Sequence, residues 1–149
     1  YLYRAISEPI CDDYYTLEIG KAKVLRQGEQ LSIITYGLGV HWAIEYLNLH
    51  PEISADLVDL RSLQPWDKAS VENSVKKTGR VLILHEDTLT GGFGGEISAH
   101  IAEHCFEFLD APVGRCASLD TAIPMNKALE DNFLAKARLH EQVSGLIKY

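Results

Sequence analysis

Residues 80–85, Arg-Val-Leu-Ile-Leu-His, place four apolar residues in a row between Arg80 and His85. A strand with one solvated face alternates apolar and polar residues, so an unbroken apolar run predicts a strand that is covered on both faces. Such strands are typical of a parallel sheet that lies between two layers of helices. This run therefore favours an α/β fold over an all-helical or all-β one.

The segments on either side of this run alternate between strand-like and helix-like patterns. Further strands are predicted at residues 31–36, 55–60 and 113–118, with a possible short edge strand at 23–25. Apolar residues at helical spacing predict four helices, marked by Val40, Ile44 and Leu47; by Val71 and Val75; by Ile97, Ile101, Cys105 and Phe108; and by Leu139, Val143, Leu146 and Ile147. Asp67 is a plausible N-cap for the second of these helices, and Gly79 suits its C-terminal stop. This alternation predicts a parallel sheet with helices on both faces.

Length and charge narrow the class of protein. A chain of 149 residues fits one domain with a sizeable core. The formal net charge of -7 argues against nucleic-acid and anionic-membrane surfaces, which favour basic patches. No apolar run approaches the ~18 residues of a membrane span, and no signal peptide is visible. The chain has three cysteines, Cys11, Cys105 and Cys116, which are widely spaced. An odd number at such spacing does not suggest a disulfide framework or a zinc site, so we predict reduced thiols and a cytoplasmic protein.

The start of the chain suggests a piece of a longer protein. The chain begins with Tyr1, and its single methionine is Met125. Residues 1–22 have no sustained apolar period and are interpreted as a linker or arm from a preceding domain. Residues 23–149 are interpreted as the folded domain.

The sequence Gly-Gly-Phe-Gly-Gly-Glu at residues 91–96 follows the predicted strand at 80–85 and opens a helix. Glycine-rich turns in this position often bind phosphate. Here Ile97 stands where a dinucleotide fingerprint needs its third glycine, and Glu96 would repel a phosphate. The pattern therefore favours close packing and turn geometry over ligand binding. A site for a small ligand remains as the alternative, with candidate residues His85, Gly91, Gly92, Gly94 and Gly95, since ligands of α/β sheets bind beyond strand ends.

Other reactive residues form no convincing site. The sequence His-Ile-Ala-Glu-His at 100–104 matches a zinc-peptidase pattern, but no third ligand stands out beside His100 and His104. His85-Glu86 could supply a general base, although a structural hydrogen bond is the favoured interpretation. We therefore predict no catalytic residue, no cofactor-binding residue and no metal site within this segment.

The chain from residue 2 onward resembles the C-terminal domain of the β-type subunit of thiamine-diphosphate-dependent 2-oxoacid dehydrogenases. The matching segments are LYRA (2–5), LSIITYGLGVHWA (31–43), VDLRSLQPWD (58–67), KKTGRVLILHE (76–86), TGGFGGEIS (90–98), HCFEFLDAPVGR (104–115) and SLDTAIP (118–124). Transketolase and deoxyxylulose-phosphate synthase share the domain more distantly. The residues Thr90 to Phe93 and Glu103 to Phe106 are more similar to the branched-chain (2-oxoisovalerate) type than to the pyruvate type.

The resemblance implies a fold and a role. The fold is a three-layer α/β/α sandwich with a five-stranded, mostly parallel sheet and one antiparallel edge strand, as in the transketolase C-terminal domain. The family's thiamine diphosphate and Mg²⁺ lie between two other domains, so they are expected outside this segment. In the family this domain joins subunits as a homodimer and docks the basic peripheral subunit-binding domain of the acyltransferase component. Asp110 in Leu-Asp-Ala-Pro and the carboxylate of Tyr149 match the family's docking anchors.

Two hypotheses of function follow. The first is an assembly domain of a 2-oxoacid dehydrogenase, inactive as an isolated segment. The alternative is a stand-alone regulatory domain that binds a small anion at the Gly91–Gly95 turn. For Asp110 the simpler interpretation is a cap before Pro112.

Overall fold

A computed structural model describes residues 6, 7 and 9–149 of the chain. Its strands are β1 (Lys23–Arg26), β2 (Leu31–Thr35), β3 (Ala55–Asp59), β4 (Val81–Thr88) and β5 (Gly114–Ser118). Its helices are α1 (Leu38–Leu49), α2 (Lys68–Thr78), α3 (Gly94–His104), α4 (Lys127–Phe133) and α5 (Leu139–Ile147), with 3₁₀ turns at Phe106–Phe108 and Ala135–Arg138. Among the described helices, none is long and apolar enough to cross a membrane.

The five strands form one sheet in the order β1-β3-β2-β4-β5. The pairs β2/β3, β2/β4 and β4/β5 are parallel, and β1 pairs with β3 in the antiparallel sense. The predicted mostly parallel sheet with one antiparallel edge strand is confirmed. The short strand that the sequence suggests at 23–25 is this edge strand.

Both faces of the sheet are covered by helices. Apolar residues of α1 and α5 pack on one face, and those of α2 and α3 pack on the other. Successive residues of β2 supply both cores, because side chains alternate along a strand: Ile33 joins the first core and Ile34 the second. Both side chains are completely buried. This confirms the three-layer architecture and explains the unbroken apolar run at 81–84.

The predicted ends of α2 agree with the structure. The carboxylate of Asp67 accepts a hydrogen bond from the Ser70 N–H at 3.1 Å, as an N-cap residue does. Gly79 ends the helix with φ 66°, a left-handed conformation that favours glycine. Asp67 also accepts from the Ala22 N–H at 3.0 Å, so the same side chain fixes the segment that leads into β1.

One helical prediction was wrong in part, and one helix was missed. Phe108 was expected on the buried stripe of α3, but α3 ends at His104 and Phe108 lies in the following 3₁₀ turn, 40% exposed. Ile97, Ile101 and Cys105 are buried as expected. The change of direction at Cys105, with φ -127° and ψ 9°, takes Phe108 off the stripe. The helix α4 was not predicted.

The described residues before β1 form only turns and bends. Ile10, Tyr14 and Ile19 are exposed, and the Gly20 N–H donates to Ser62 Oγ at 2.9 Å. The linker assigned to residues 1–22 stays a prediction, and residues 1–5 and 8 lie outside the described part.

Candidate functional site

A cavity of about 420 Å³ opens where the sheet changes its direction of winding. From β2 the chain passes through α1 to β3 on one side, and α2 then returns it to β4 on the other side. Open α/β sheets bind ligands beyond the carboxyl ends of their strands at such a switch point. The walls are residues 36–38 after β2, residues 86–88 at the end of β4, and Ile123, Glu130, Phe133 and Leu134 from the α4 region. We call this cavity the switch-point crevice.

The charge in the switch-point crevice is entirely negative. Glu86, Asp87 and Glu130 line it, and no lysine, arginine or histidine does. No ion pair involving these three carboxylates occurs among the described residues. The Asp87 carboxylate accepts a hydrogen bond from the Thr88 N–H at 2.8 Å. The crevice therefore carries negative charge that the neighbouring side chains leave uncompensated.

Tyr36 adds a neutral aromatic surface to the crevice. Burial, and secondly the charge of Asp87, raise the pKa of Tyr36 to about 12. The phenol therefore keeps its proton at neutral pH and offers both a donor and an acceptor. Its ring stacks on His85 with a centroid distance of 6.1 Å and an interplanar angle of 4°.

The glycine turn at 91–95 packs against His85. A Cβ on Gly94 would lie 2.4 Å from His85 Nε2, and a Cβ on Gly92 would lie 2.6 Å from His85 Cε1. Real Cβ atoms do not approach other atoms so closely, so the imidazole occupies the space that side chains would need. This contact supports the packing role of Gly92 and Gly94. Gly91, with φ 81° and no nearby atom, serves the turn geometry instead.

His85 is fully buried, and both of its ring nitrogens lack a hydrogen-bond partner among the described residues. Burial lowers the pKa of His85, and the charge of Arg115 adds to this, while Asp87 acts in the opposite sense. The ring is therefore held in its neutral form. Its role as part of a ligand turn, together with Gly91, Gly92, Gly94 and Gly95, stays a prediction.

The two histidines of the zinc-like pattern make structural contacts on α3. His100 Nε2 lies 3.0 Å from Glu72 Oε1, and His104 Nδ1 donates to the His100 carbonyl at 3.0 Å. The two rings stack at 4.1 Å. In the part of the chain that the structure describes, no group of three or more His, Cys, Asp or Glu side chains could hold a metal ion.

The docking candidates lie at the opposite, amino end of the sheet. The Asp110 N–H donates to the Gly79 carbonyl at 2.7 Å, and the Asp110 carboxylate lies 3.7 Å from Arg80 Nη1. The Asp110 side chain is 60% exposed, and it pairs with Arg80 without capping a helix of the described chain. Tyr149 is exposed and shares a surface depression with Pro112. The fold thus brings the Leu-Asp-Ala-Pro segment and residue 149 to one face.

Neither the glycine turn nor the switch-point crevice fits the pyrophosphate group of thiamine diphosphate. The glycine turn is filled by the His85 ring, and the switch-point crevice is lined by carboxylates, which repel phosphate. The expected location of the cofactor in other domains stays a prediction.

Sequence reasoning missed the switch-point crevice. Its residues come from three segments that are far apart in the chain, and one wall belongs to α4, which was not predicted. A local signal was present, because Asn126 caps α4 by accepting from the Ala128 N–H at 3.0 Å. The Tyr36-Gly37 pair at the end of β2 was a second signal, since glycine there ends the strand at the switch point.

Comparisons with known proteins cover most of the chain. Residues 20–138 match the family described as "Transketolase, C-terminal domain". The 2-oxoisovalerate dehydrogenase subunit beta 2, mitochondrial, of Arabidopsis thaliana is 44% identical over 128 residues, which are 84% of this chain and 36% of that protein. The pyruvate dehydrogenase E1 component subunit beta of Mycoplasma pneumoniae is 39% identical over 149 residues, which are 99% of this chain and 46% of that protein.

The chain is also similar to a solved structure. A split-gene transketolase, an inactive beta4 tetramer, matches with a TM-score of 0.73 and 25% identity, and the match covers 96% of this chain and 46% of that one. This chain thus spans less than half of the length of the curated relatives named above, 36% of the first and 46% of the second.

Proposed function

This chain belongs to the transketolase C-terminal domain family, and on that premise we propose that it is the assembly domain of a 2-oxoacid dehydrogenase. More specifically, it is the C-terminal domain of the β-type subunit of the first, decarboxylating component. The observation that carries the proposal is the match of 84% and 99% of this chain to the β subunits of two such dehydrogenases.

The parent enzyme would decarboxylate a 2-oxoacid with thiamine diphosphate and Mg²⁺ and transfer the acyl group to a lipoyl group of the acyltransferase component. A branched-chain substrate is favoured, because the 2-oxoisovalerate relative is 44% identical and the pyruvate relative 39%. The cofactor would be bound by other domains. The present segment would therefore be inactive alone and would act by holding subunits together.

Exposed apolar side chains support a role in subunit association. Met125 and Leu129 are 103% and 60% exposed, and they lie just before α4 and in its first turn. Apolar side chains grouped in this way mark protein interfaces. We propose a homodimer through a two-fold axis, as oligomers of identical chains commonly form. The cytoplasmic location also stays a proposal, and the free thiols of Cys11, Cys105 and Cys116 are compatible with it.

A chimera tests the proposed function. In this experiment, the chain replaces the matching segment of the Mycoplasma pneumoniae subunit, to which it aligns over 149 residues. We expect the chimera to assemble with its α-type partner and to retain pyruvate decarboxylation, because the residues that bind the cofactor lie elsewhere. The control is the same subunit truncated before this segment. A chimera that folds but neither assembles nor reacts would contradict the proposal.

A calorimetric titration of the isolated chain with thiamine diphosphate and Mg²⁺ tests the second part of the proposal. No saturable binding is expected. Micromolar affinity would instead support the alternative of a ligand-binding domain, with the Gly91–Gly95 turn as the first place to examine.

A further inference from the structure

The switch-point crevice has the size and shape of a small-molecule site. Ligand sites in proteins are concave, measure about 300–1,000 Å³, and combine apolar walls with a few polar groups. The crevice has a volume of about 420 Å³ and lies at the point of an α/β sheet where such sites occur. The inference below goes beyond the proposed function, because it assigns a ligand to this segment itself.

The carboxylates that line the crevice favour a positively charged ligand. Glu86 and Asp87 stand on one wall at the end of β4, and Glu130 stands on α4. No cationic side chain lies among the lining residues to balance them. An anion would be repelled, whereas a cation would gain charge-assisted hydrogen bonds from carboxylates that make no ion pair in the described structure.

The carboxylates of the crevice favour an organic cation over a metal ion. These side chains form no metal-holding group in the described part of the chain. An ammonium or guanidinium group presents several N–H donors and does not require all its partners at one point.

The remaining walls provide contacts for an apolar chain. Leu38 and Phe133 are buried side chains that line the crevice, and Ile123 and Leu134 complete its apolar part. Tyr36 offers an aromatic surface beside Asp87, and such faces attract cations. Apolar contacts would supply affinity, and the carboxylates would orient the charged end.

We propose that the switch-point crevice binds a small organic cation, in which an ammonium or guanidinium group is carried on an apolar chain. The charged end lies near Asp87 and Glu130, and the chain lies against Ile123 and Phe133. The ligand is a free small molecule.

The test is a titration followed by amide NMR spectra of the isotopically labelled chain. The probes are the organic cations hexylammonium and agmatine. Hexanoate is the control for the sign of the charge, and Mg²⁺ is the control for metal binding. We expect saturable binding of the two organic cations with a dissociation constant of about 1 mM or tighter. The amide shifts should move at Gly37 and Thr88, and hexanoate and Mg²⁺ should leave these amides unchanged.

Three variants locate the site. Asp87→Asn and Glu130→Gln each remove one negative charge, and each should weaken binding about fivefold to tenfold. Ile123→Ser removes apolar surface at an exposed position, so it should weaken hexylammonium without unfolding the chain. The matched control is Glu141→Gln, which removes the same charge at an exposed position of α5 outside the crevice. It should bind as the wild type does.

Several outcomes would overturn the proposal. These are the absence of saturable binding of either organic cation at millimolar concentration, equal binding of hexanoate, or equal weakening by Glu141→Gln. Shifts produced by Mg²⁺ at the same amides would replace the organic cation by a metal ion. A blocked lysine, N-acetyl-lysine methylamide, is the last arm, and binding at least tenfold tighter than hexylammonium would show that the occupant is a protein side chain.

Discussion

His85 explains the glycine turn at the scale of single residues. Its ring is buried against Gly92 and Gly94 and stacks on Tyr36, so one side chain joins the glycine turn to the end of β2. The sequence correctly favours close packing for these glycines, because the known phosphate fingerprints fail. It could not show that an imidazole is the partner, since that contact depends on the path of the chain after β4.

The first prediction concerns Gly94. Gly94→Ala would place a Cβ 2.4 Å from His85 Nε2, and the packing strain should cost about 1–3 kcal/mol of the free energy of unfolding, measured in urea. Gly145→Ala is the control, because no atom outside the adjoining residues and backbone of its own helix lies within 4 Å of its Cβ position, and α5 should gain about 0.5–1 kcal/mol. In a His85→Ala background the cost of Gly94→Ala should shrink. An unchanged cost there would exclude the ring as the cause.

The second prediction concerns the pH dependence of stability. Burial lowers the pKa of His85 in the folded chain, whereas the unfolded chain takes up this proton near pH 6.5. The unfolded state therefore binds more protons below about pH 6.5, so the contribution of neutral His85 to stability is lost as pH falls. In His85→Gln, the free energy of unfolding should decline less steeply between about pH 6.5 and 5. Equal slopes for the two proteins would contradict this assignment.

Among the elements, α4 depends on one arginine. Arg138 donates to the carbonyls of Ala117, Phe133 and Leu134 at 2.9, 2.9 and 3.1 Å, which ties the end of α4 to β5. Because α4 carries Glu130 and Phe133 into the switch-point crevice, this side chain also holds one wall of the crevice.

The third prediction follows from these contacts. Arg138→Met should cost about 1–3 kcal/mol, because it leaves several carbonyls without a partner. Amide hydrogen exchange should accelerate over residues 127–138 and stay slow in β2 and β4. The control is Lys136→Met, which breaks only an exposed pair with Glu45 and should cost at most about 1 kcal/mol. Uniform acceleration of exchange throughout the sheet would contradict a local role.

The elements also show which signals can be read from sequence. The central strands of the sheet have continuous apolar runs in the sequence. The helix α2 has an N-cap residue, Asp67, and a C-terminal glycine, Gly79. The bounds of these elements were therefore predicted closely. In contrast, α4 has only seven residues, of which Phe133 alone is buried, so it shows no repeated apolar face. Phe108 continues the spacing of α3 by coincidence, because the chain leaves the helix at Cys105.

For the whole molecule, the two ends of the sheet carry different groups. The switch-point crevice lies at the carboxyl end, and Asp110, Pro112 and Tyr149 lie at the amino end. Crevice residues such as Tyr36, Asp87 and Glu130 are far apart in the sequence, so no local pattern could group them. Asp110 was found only through the resemblance, since a single exposed carboxylate carries no pattern of its own.

The last prediction concerns docking at the amino end. If Asp110 pairs with an Arg or Lys of the peripheral subunit-binding domain, Asp110→Ala should weaken binding by about 2–5 kcal/mol, because a charge on the partner is left unpaired at a buried contact. The melting temperature of the chain should barely change, because Asp110 is 60% exposed and its distance to Arg80 is 3.7 Å. Glu107→Ala is the matched control, since it removes an exposed carboxylate from the preceding 3₁₀ turn.

Extending the chain past Tyr149 removes the second proposed anchor, the terminal carboxylate, and should also weaken binding. Calorimetry with the partner domain measures all four proteins, and unchanged affinity in Asp110→Ala and in the extended chain would contradict both anchors.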